Sequence, residues 1–143
     1  MAIIPLETDR LSCSYNETER ILYVTYRGIL SPDVTQSFYQ WLHGVIRNNP
    51  LEVSRARGSI YDFRQVTSFD NRNLTAAQRQ SEQLNMRVDV SSHPVALLIE
   101  TKAQEHILQV ELKISPQQGR KRIVRTEQEA RDFIASFASP EEA

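Results

Sequence analysis

Four residues of this chain stand where side chains could do chemistry: Asp62, Asp70, Asn71 and Arg72. Asp62 falls near the end of an apolar stretch, Ser59 to Phe63, that reads as a strand. Asp70, Asn71 and Arg72 fall at the entry of a following helix. In a parallel α/β sheet, strand C-termini and the helix starts beside them are where ligands gather. Two carboxylates, an amide and a guanidinium brought together there would form a polar cluster able to bind a partner or a small ligand. The plainer reading is architectural. Asp and Asn are turn and cap formers, so Asp62 would tie down a loop and Asp70 or Asn73 would cap the helix.

Other chemistry is sparse. His43, His93 and His106 fit no metal-ligand spacing, and Cys13 is the one cysteine. No metal, cofactor or intrachain disulfide is therefore expected. Cys13 lies among strand residues and reads as a small buried side chain. His43 reads as solvent-facing. His93 precedes Pro94 at the start of a strand, a poor place for catalysis. Gly28, Gly44, Gly58 and Gly119 are scattered and make no phosphate-binding loop, and no Gly-x-Ser-x-Gly elbow is present. An enzyme is not expected. The basic run Gly119-Arg120-Lys121-Arg122, with Arg125, reads as a solvated turn and edge strand, where cations discourage edge pairing.

The elements that must position these residues follow from periodicity. Leu11 to Tyr15 and Arg20 to Arg27 are strands joined by a polar link at Asn16, Glu17 and Thr18. The second is apolar on both faces and should be covered on both. Gly28 breaks it. Ser31 and Pro32 then open a helix with the stripe Val34, Phe38, Trp41, Leu42 and Val45, which Asn48, Asn49 and Pro50 end. Tyr39 lies off that stripe and is a candidate exposed aromatic. Leu51 to Arg57 reads as a polar loop. A second helix, Leu74 towards Met86, has a thin stripe with Ala77 and Ser81 in it, which marks it as the mobile or partner-facing helix. Val95 to Ile99 is an unbroken apolar run suited to a buried parallel strand. Lys102 to Ile114 carries both periodicities; the capping-box pair Thr101 and Gln104 decides for helix. Ser115 to Gly119 is a turn and Lys121 to Val124 a last strand. Thr126 and Glu129 cap an amphipathic helix with Ala130, Phe133, Ile134 and Phe137. Ser139 to Ala143 reads as a frayed tail.

Strand, strand, helix, strand, helix, strand, helix, strand, helix is the order of a single α/β domain over residues 1–143. Crossovers of this kind give a mixed, mostly parallel sheet of about five strands with four main helices, the first strand antiparallel. With 40% hydrophobic and 24% charged residues the chain is globular. A net charge of -1 gives no global footprint for nucleic acid or an anionic membrane. No basic leader or apolar run of spanning length is seen, and a lone cysteine suits a cytoplasmic protein.

That order, at this length, resembles the SpoIIAA-like or STAS fold of the anti-sigma-factor antagonists. The specific likeness is confined to Asp62 through Leu74. Asp62, Val66, Thr67, Asp70 and Leu74 match the antagonists' signature segment, and Phe63 stands for its leucine. Asn71 and Arg72 replace two serines and Asn73 a glycine. The ending, Ile123 to Ile134, looks like that of a subgroup of bacterial proteins with this fold and no assigned role. The resemblance implies the fold, a cytoplasmic bacterial protein and a partner protein or homodimer. It puts Arg72 at the phosphoserine-equivalent position, and arginine cannot accept phosphate, so phosphoserine switching is not expected. The expected function is a non-enzymatic interaction or regulatory module. The alternative is a small-ligand domain, binding a lipid or nucleotide at the strand ends near Asp62 and Asp70.

Overall fold

A computed structural model describes residues 2–114 and 118–137, apart from the side chains of Ile114 and Gln118. The first three residues of the expected turn Ser115 to Gly119 and the tail from Ser139 lie outside the described residues. The strands are β1 (Leu6–Glu7), β2 (Leu11–Asn16), β3 (Ile21–Leu30), β4 (Gly58–Phe69), β5 (Val95–Leu98) and β6 (Lys121–Val124). The helices are α1 (Pro32–Asn48), α2 (Pro50–Arg55), α3 (Arg72–Arg87), α4 (Lys102–Ile114) and α5 (Glu127–Ser136). They build one mixed sheet in the order β1-β2-β3-β4-β5-β6. The β1–β2 and β2–β3 pairs are antiparallel, and β3 through β6 are parallel.

A monotonic parallel order has a consequence for the layers. Crossovers of constant hand, always stepping the same way, put every connecting helix on one face. One core cluster accordingly joins α1, α3 and α4 to Leu22, Val24, Tyr26, Phe63 and Leu97. Among the described residues the opposite face is covered by α5, through Ala130, Phe133 and Ile134 on Ile21, Ile60 and Leu98. Both faces of β3 are used, as its sequence requires. No helix of the described residues is long and apolar enough to cross a membrane.

Several expectations are corrected. The sheet has six strands, because Leu6–Glu7 adds a short edge strand to β2. Gly28 does not end β3: at φ +70° it sits in a stretch of register irregularity, and the strand runs on to Leu30. Leu51 to Arg57 is not all loop, since Pro50 starts the short helix α2. Tyr39 is not exposed; its hydroxyl bonds Ser81 Oγ at 2.9 Å across the α1–α3 contact. Ala77 and Ser81 are likewise buried, so the small face of α3 is spent inside the chain rather than offered to a partner. Lys102–Ile114 is helical, and Thr101 and Gln104 cap it reciprocally at 3.0 and 3.1 Å. Thr126 Oγ1 accepts the Glu129 N–H at 3.0 Å, as its capping pattern requires.

Gly58 opens β4 where nothing larger fits. A Cβ there would lie 2.8 Å from the Pro94 carbonyl oxygen and 3.0 Å from two Ile134 side-chain carbons. The carbonyl belongs to backbone and cannot swing aside. Gly58→Ala should lower the unfolding free energy by about 1 kcal/mol in urea denaturation, the cost of forcing extra volume into a packed core.

Candidate functional site

The structure does not bring the four sequence candidates together. Asp62 is the fifth residue of a 12-residue strand rather than its last, paired with Thr25 on one side and Leu98 on the other. Asp70 follows the end of that strand. Eight steps of extended chain separate them, a span on the order of 25 Å. Each aspartate is instead satisfied locally, and in the same way. Asp62 Oδ1 accepts the Arg64 N–H at 2.9 Å and Nε at 3.0 Å, while Oδ2 takes Nη2 at 2.9 Å. Asp70 Oδ1 accepts the Arg72 N–H at 3.0 Å and Nε at 3.1 Å, while Oδ2 takes Nη2 at 2.7 Å.

These are two Asp-x-Arg units, each a turn closed by its own guanidinium. Arg72 beside it holds the Asp70 carboxyl below its ordinary value. Asn71 already has helical φ and ψ and makes no side-chain cap bond, so Asp70 provides the cap of α3. The Asn73 side chain turns inward, where Oδ1 accepts from Thr35 Oγ1 at 2.6 Å. Among the described residues no group of three or more His, Cys, Asp or Glu side chains could hold a metal ion.

A cavity of about 380 Å³ lies at the opposite edge of the sheet, where the parallel strands begin. Its walls are aliphatic: Leu42 and Ile46 from α1, Val53 from α2, Leu84 from α3, and Val88 and Val90 beyond it. Its polar residues include Ser59, Tyr61, Asp89, His93 and Arg120. Ser59 is placed by β4, whose first residues pair with β3 and β5. His93 is placed by the Val90–His93 turn, closed by a 3.0 Å backbone bond. Arg120 comes from the 3-10 turn, Gln118–Arg120, that leads into β6.

Ser59 Oγ and His93 Nε2 are 2.7 Å apart. Arg120 Nη1 donates to the His93 carbonyl oxygen at 3.1 Å. The Arg120 Nε–H is buried without a hydrogen-bond partner, and the residue is only 7% exposed. Burial pulls its pKa down, opposed by the phenols of Tyr61 and Tyr39. Arg120 makes no salt bridge with any described carboxylate, whereas Arg125 pairs with Glu105 at 3.0 Å. Arg122 lies 4.7 Å from the Phe133 ring centroid. The basic run is thus dispersed by the fold, and its first cation is buried rather than solvated.

The Ser59–His93 pair has the atoms of a nucleophile and base but not their tuning. Burial, then the charge of Arg120, brings His93 down to about 4, far from the near-neutral value that suits a general base. No described carboxylate bonds His93 to orient it, and Ser59 is 2% exposed within a strand. The pair is a neutral hydrogen-bonded floor. Cys13 is buried and inert, its thiol pushed up to about 12 by burial.

A histidine buried neutral has a pH signature. Its folded pKa lies below its ordinary value, so the unfolded chain binds the proton more readily. Stability should therefore decline as pH falls from about 6.5 towards 4. Chemical denaturation across that window should show the slope, and His93→Gln should flatten it. The comparison with the variant is needed because burial raises the pKa of Glu111, which gives an opposing slope.

Sequence reasoning missed this cavity. Ser59 reads as an ordinary strand residue, and His93 was discounted because it precedes a strand. Arg120 looks solvated in a run of cations. A His-Pro pair and a Gly-Arg pair at the starts of successive parallel strands are the one signal that both loops converge on the same sheet edge.

The topology is that of a SpoIIAA-like α/β fold, and solved structures share it. An uncharacterised DUF3478-family protein from Shewanella loihica PV-4, with a SpoIIAA-like fold, superposes with a TM-score of 0.58 at 12% identity, covering 92% of this chain and 98% of its own. The anti-sigma factor antagonist SpoIIAA in its unphosphorylated form gives 0.56 at 12%, covering 89% and 99%. An anti-sigma factor antagonist from Mycobacterium paratuberculosis gives 0.56 at 10%, covering 91% and 98%. No family model matches the sequence, and no curated protein matches it. At these identities the likeness is one of fold.

Proposed function

We propose that this chain is a non-enzymatic small-ligand-binding domain, and that its site is the cavity bounded by α1, α2, α3 and the beginnings of β3 to β6. The cavity itself carries the reading. At about 380 Å³ it falls within the range of small-molecule sites, and it has their character of apolar walls with a few convergent polar groups. The absence of an oriented, near-neutral base beside Ser59 supports binding rather than turnover.

The interaction-module reading rests mainly on the likeness of fold and loses the small face of α3 as a docking surface, because α1 covers it. It keeps one observation. The Arg72 side chain is 82% exposed at the start of α3, in a fold shared with anti-sigma factor antagonists. A protein partner reading Arg72 would be a second activity at the other edge of the sheet.

A thermal-shift screen over small apolar acids, alcohols and nucleotides tests the proposal. A ligand at a hundred times its Kd stabilises the fold by about 2.7 kcal/mol. Some apolar compounds should raise the melting temperature of the native chain. Val53→Trp, which fills the cavity from α2, should melt cooperatively and lose that response. A screen without hits, or equal responses from both proteins, would refute the proposal.

A further inference from the structure

The charge on Arg120 specifies the ligand further, on the premise that the cavity is a ligand site. A guanidinium stays protonated even when buried. Among the described residues it has one hydrogen bond, to a neutral carbonyl, and a buried Nε–H with no partner. Buried charges in proteins are normally paired, because desolvation without a counter-charge is expensive.

The surroundings supply no counter-charge among the described residues. Asp89 lines the cavity but is exposed, and its carboxylate accepts from the Ser91 N–H and hydroxyl. Glu111 faces Lys121, whose cation acts on it. The stretch Ser115, Pro116, Gln117 and Gln118, which leads to Arg120, contains no acidic residue. A single unmatched cation therefore sits against an aliphatic chamber.

We infer that the cavity takes a monoanionic amphiphile, a carboxylic acid whose head pairs with Arg120 and whose hydrocarbon body lies against Leu42, Ile46, Val53 and Leu84. A guanidinium fits a carboxylate in a two-point geometry, and Arg120 lines the cavity without a described carboxylate to pair with. One cation matches one negative charge, so a dianionic phosphate would bring a second charge with no partner. Tyr61 also lines the cavity. Size bounds the body. An apolar cavity of about 150 Å³ accommodates benzene, so this one holds roughly fifteen non-hydrogen atoms. A medium-chain fatty acid or an aromatic acid of similar bulk fits that bound.

Isothermal titration of the full chain at pH 7.5 with decanoate, decanol, decyl phosphate and inorganic phosphate tests the inference. Decanoate should bind at least tenfold more tightly than decanol, and inorganic phosphate should not bind. Arg120→Gln should equalise decanoate and decanol while keeping decanol binding, and Arg120→Lys should restore part of the preference. Circular dichroism of both variants checks the fold. Equal binding of decanoate and decanol by the native chain overturns this inference and leaves the ligand-binding reading standing. Preference for decyl phosphate, or tight binding of inorganic phosphate, overturns the monocarboxylate assignment. No binding of any ten-carbon compound overturns both readings.

Discussion

Gln104→Leu is expected to destabilise the fold by about 3 kcal/mol, although leucine has nearly the same volume and the site is buried. The glutamine is 3% exposed and its amide makes four hydrogen bonds, all to backbone. Oε1 accepts the Glu100 and Thr101 N–H groups at 2.8 and 3.0 Å, and Nε2 donates to the Val66 and Arg64 carbonyls at 3.0 and 3.4 Å. β5 ends at Leu98, opposite Asp62, so the rest of β4 has β3 on one side and no strand on the other. The Gln104 side chain stands where a strand would. Leucine leaves those carbonyls and N–H groups without their partner, and each unsatisfied buried group costs about 1–3 kcal/mol, partly relieved by entering water. Urea denaturation should show the loss in its midpoint. A change below about 1 kcal/mol would mean that the end of β4 is held by the β3 ladder alone.

Arg120→Met carries the opposite sign. It should raise the unfolding free energy of the ligand-free chain by about 2 kcal/mol and abolish the preference for an acid. Replacing a buried charge by an apolar side chain of similar length removes desolvation that nothing in the described structure offsets. One hydrogen bond to the His93 carbonyl is lost, at a cost of about 1 kcal/mol, which the gain exceeds. Stabilisation accompanied by loss of function is the mark of a residue kept for binding, and paired denaturation and titration experiments measure both. If the methionine variant were less stable, Arg120 would be a structural residue satisfied by its surroundings.

The fold could be read from the sequence wherever one element decided its own form. The apolar run at Val95, the stripe through Phe38 and the capping boxes at Thr101 and Thr126 each carry a local rule that the tertiary structure obeys. The failures lie where a neighbour decides. Arg64, Gln65, Thr67 and Ser68 look like loop residues, yet they continue β4 because β3 pairs with its backbone and Gln104 donates to its carbonyls. Ala77 and Ser81 look like an unfinished face until α1 is placed against them.

The cavity proposed as the site was not readable from the sequence, which points instead to the far ends of the parallel strands. Asp62 and Asp70 have the residue types of a strand-end site, but each is closed by an arginine two residues on. Periodicity shows the start of a helix and cannot show which carboxylate is already neutralised. Arg120 is hidden for the converse reason. Its burial depends on where the turn before β6 meets the His93 loop, which no spacing within its own segment encodes.

A backbone amide chemical-shift map of the chain titrated with decanoate tests the central claim most directly. The account predicts saturable shifts concentrated at Val53, Ser59, Tyr61, His93 and Arg120, with Asp62, Asp70, Asn71 and Arg72 unmoved. Shifts centred on Asp70 to Arg72, or none at saturating decanoate, would contradict it.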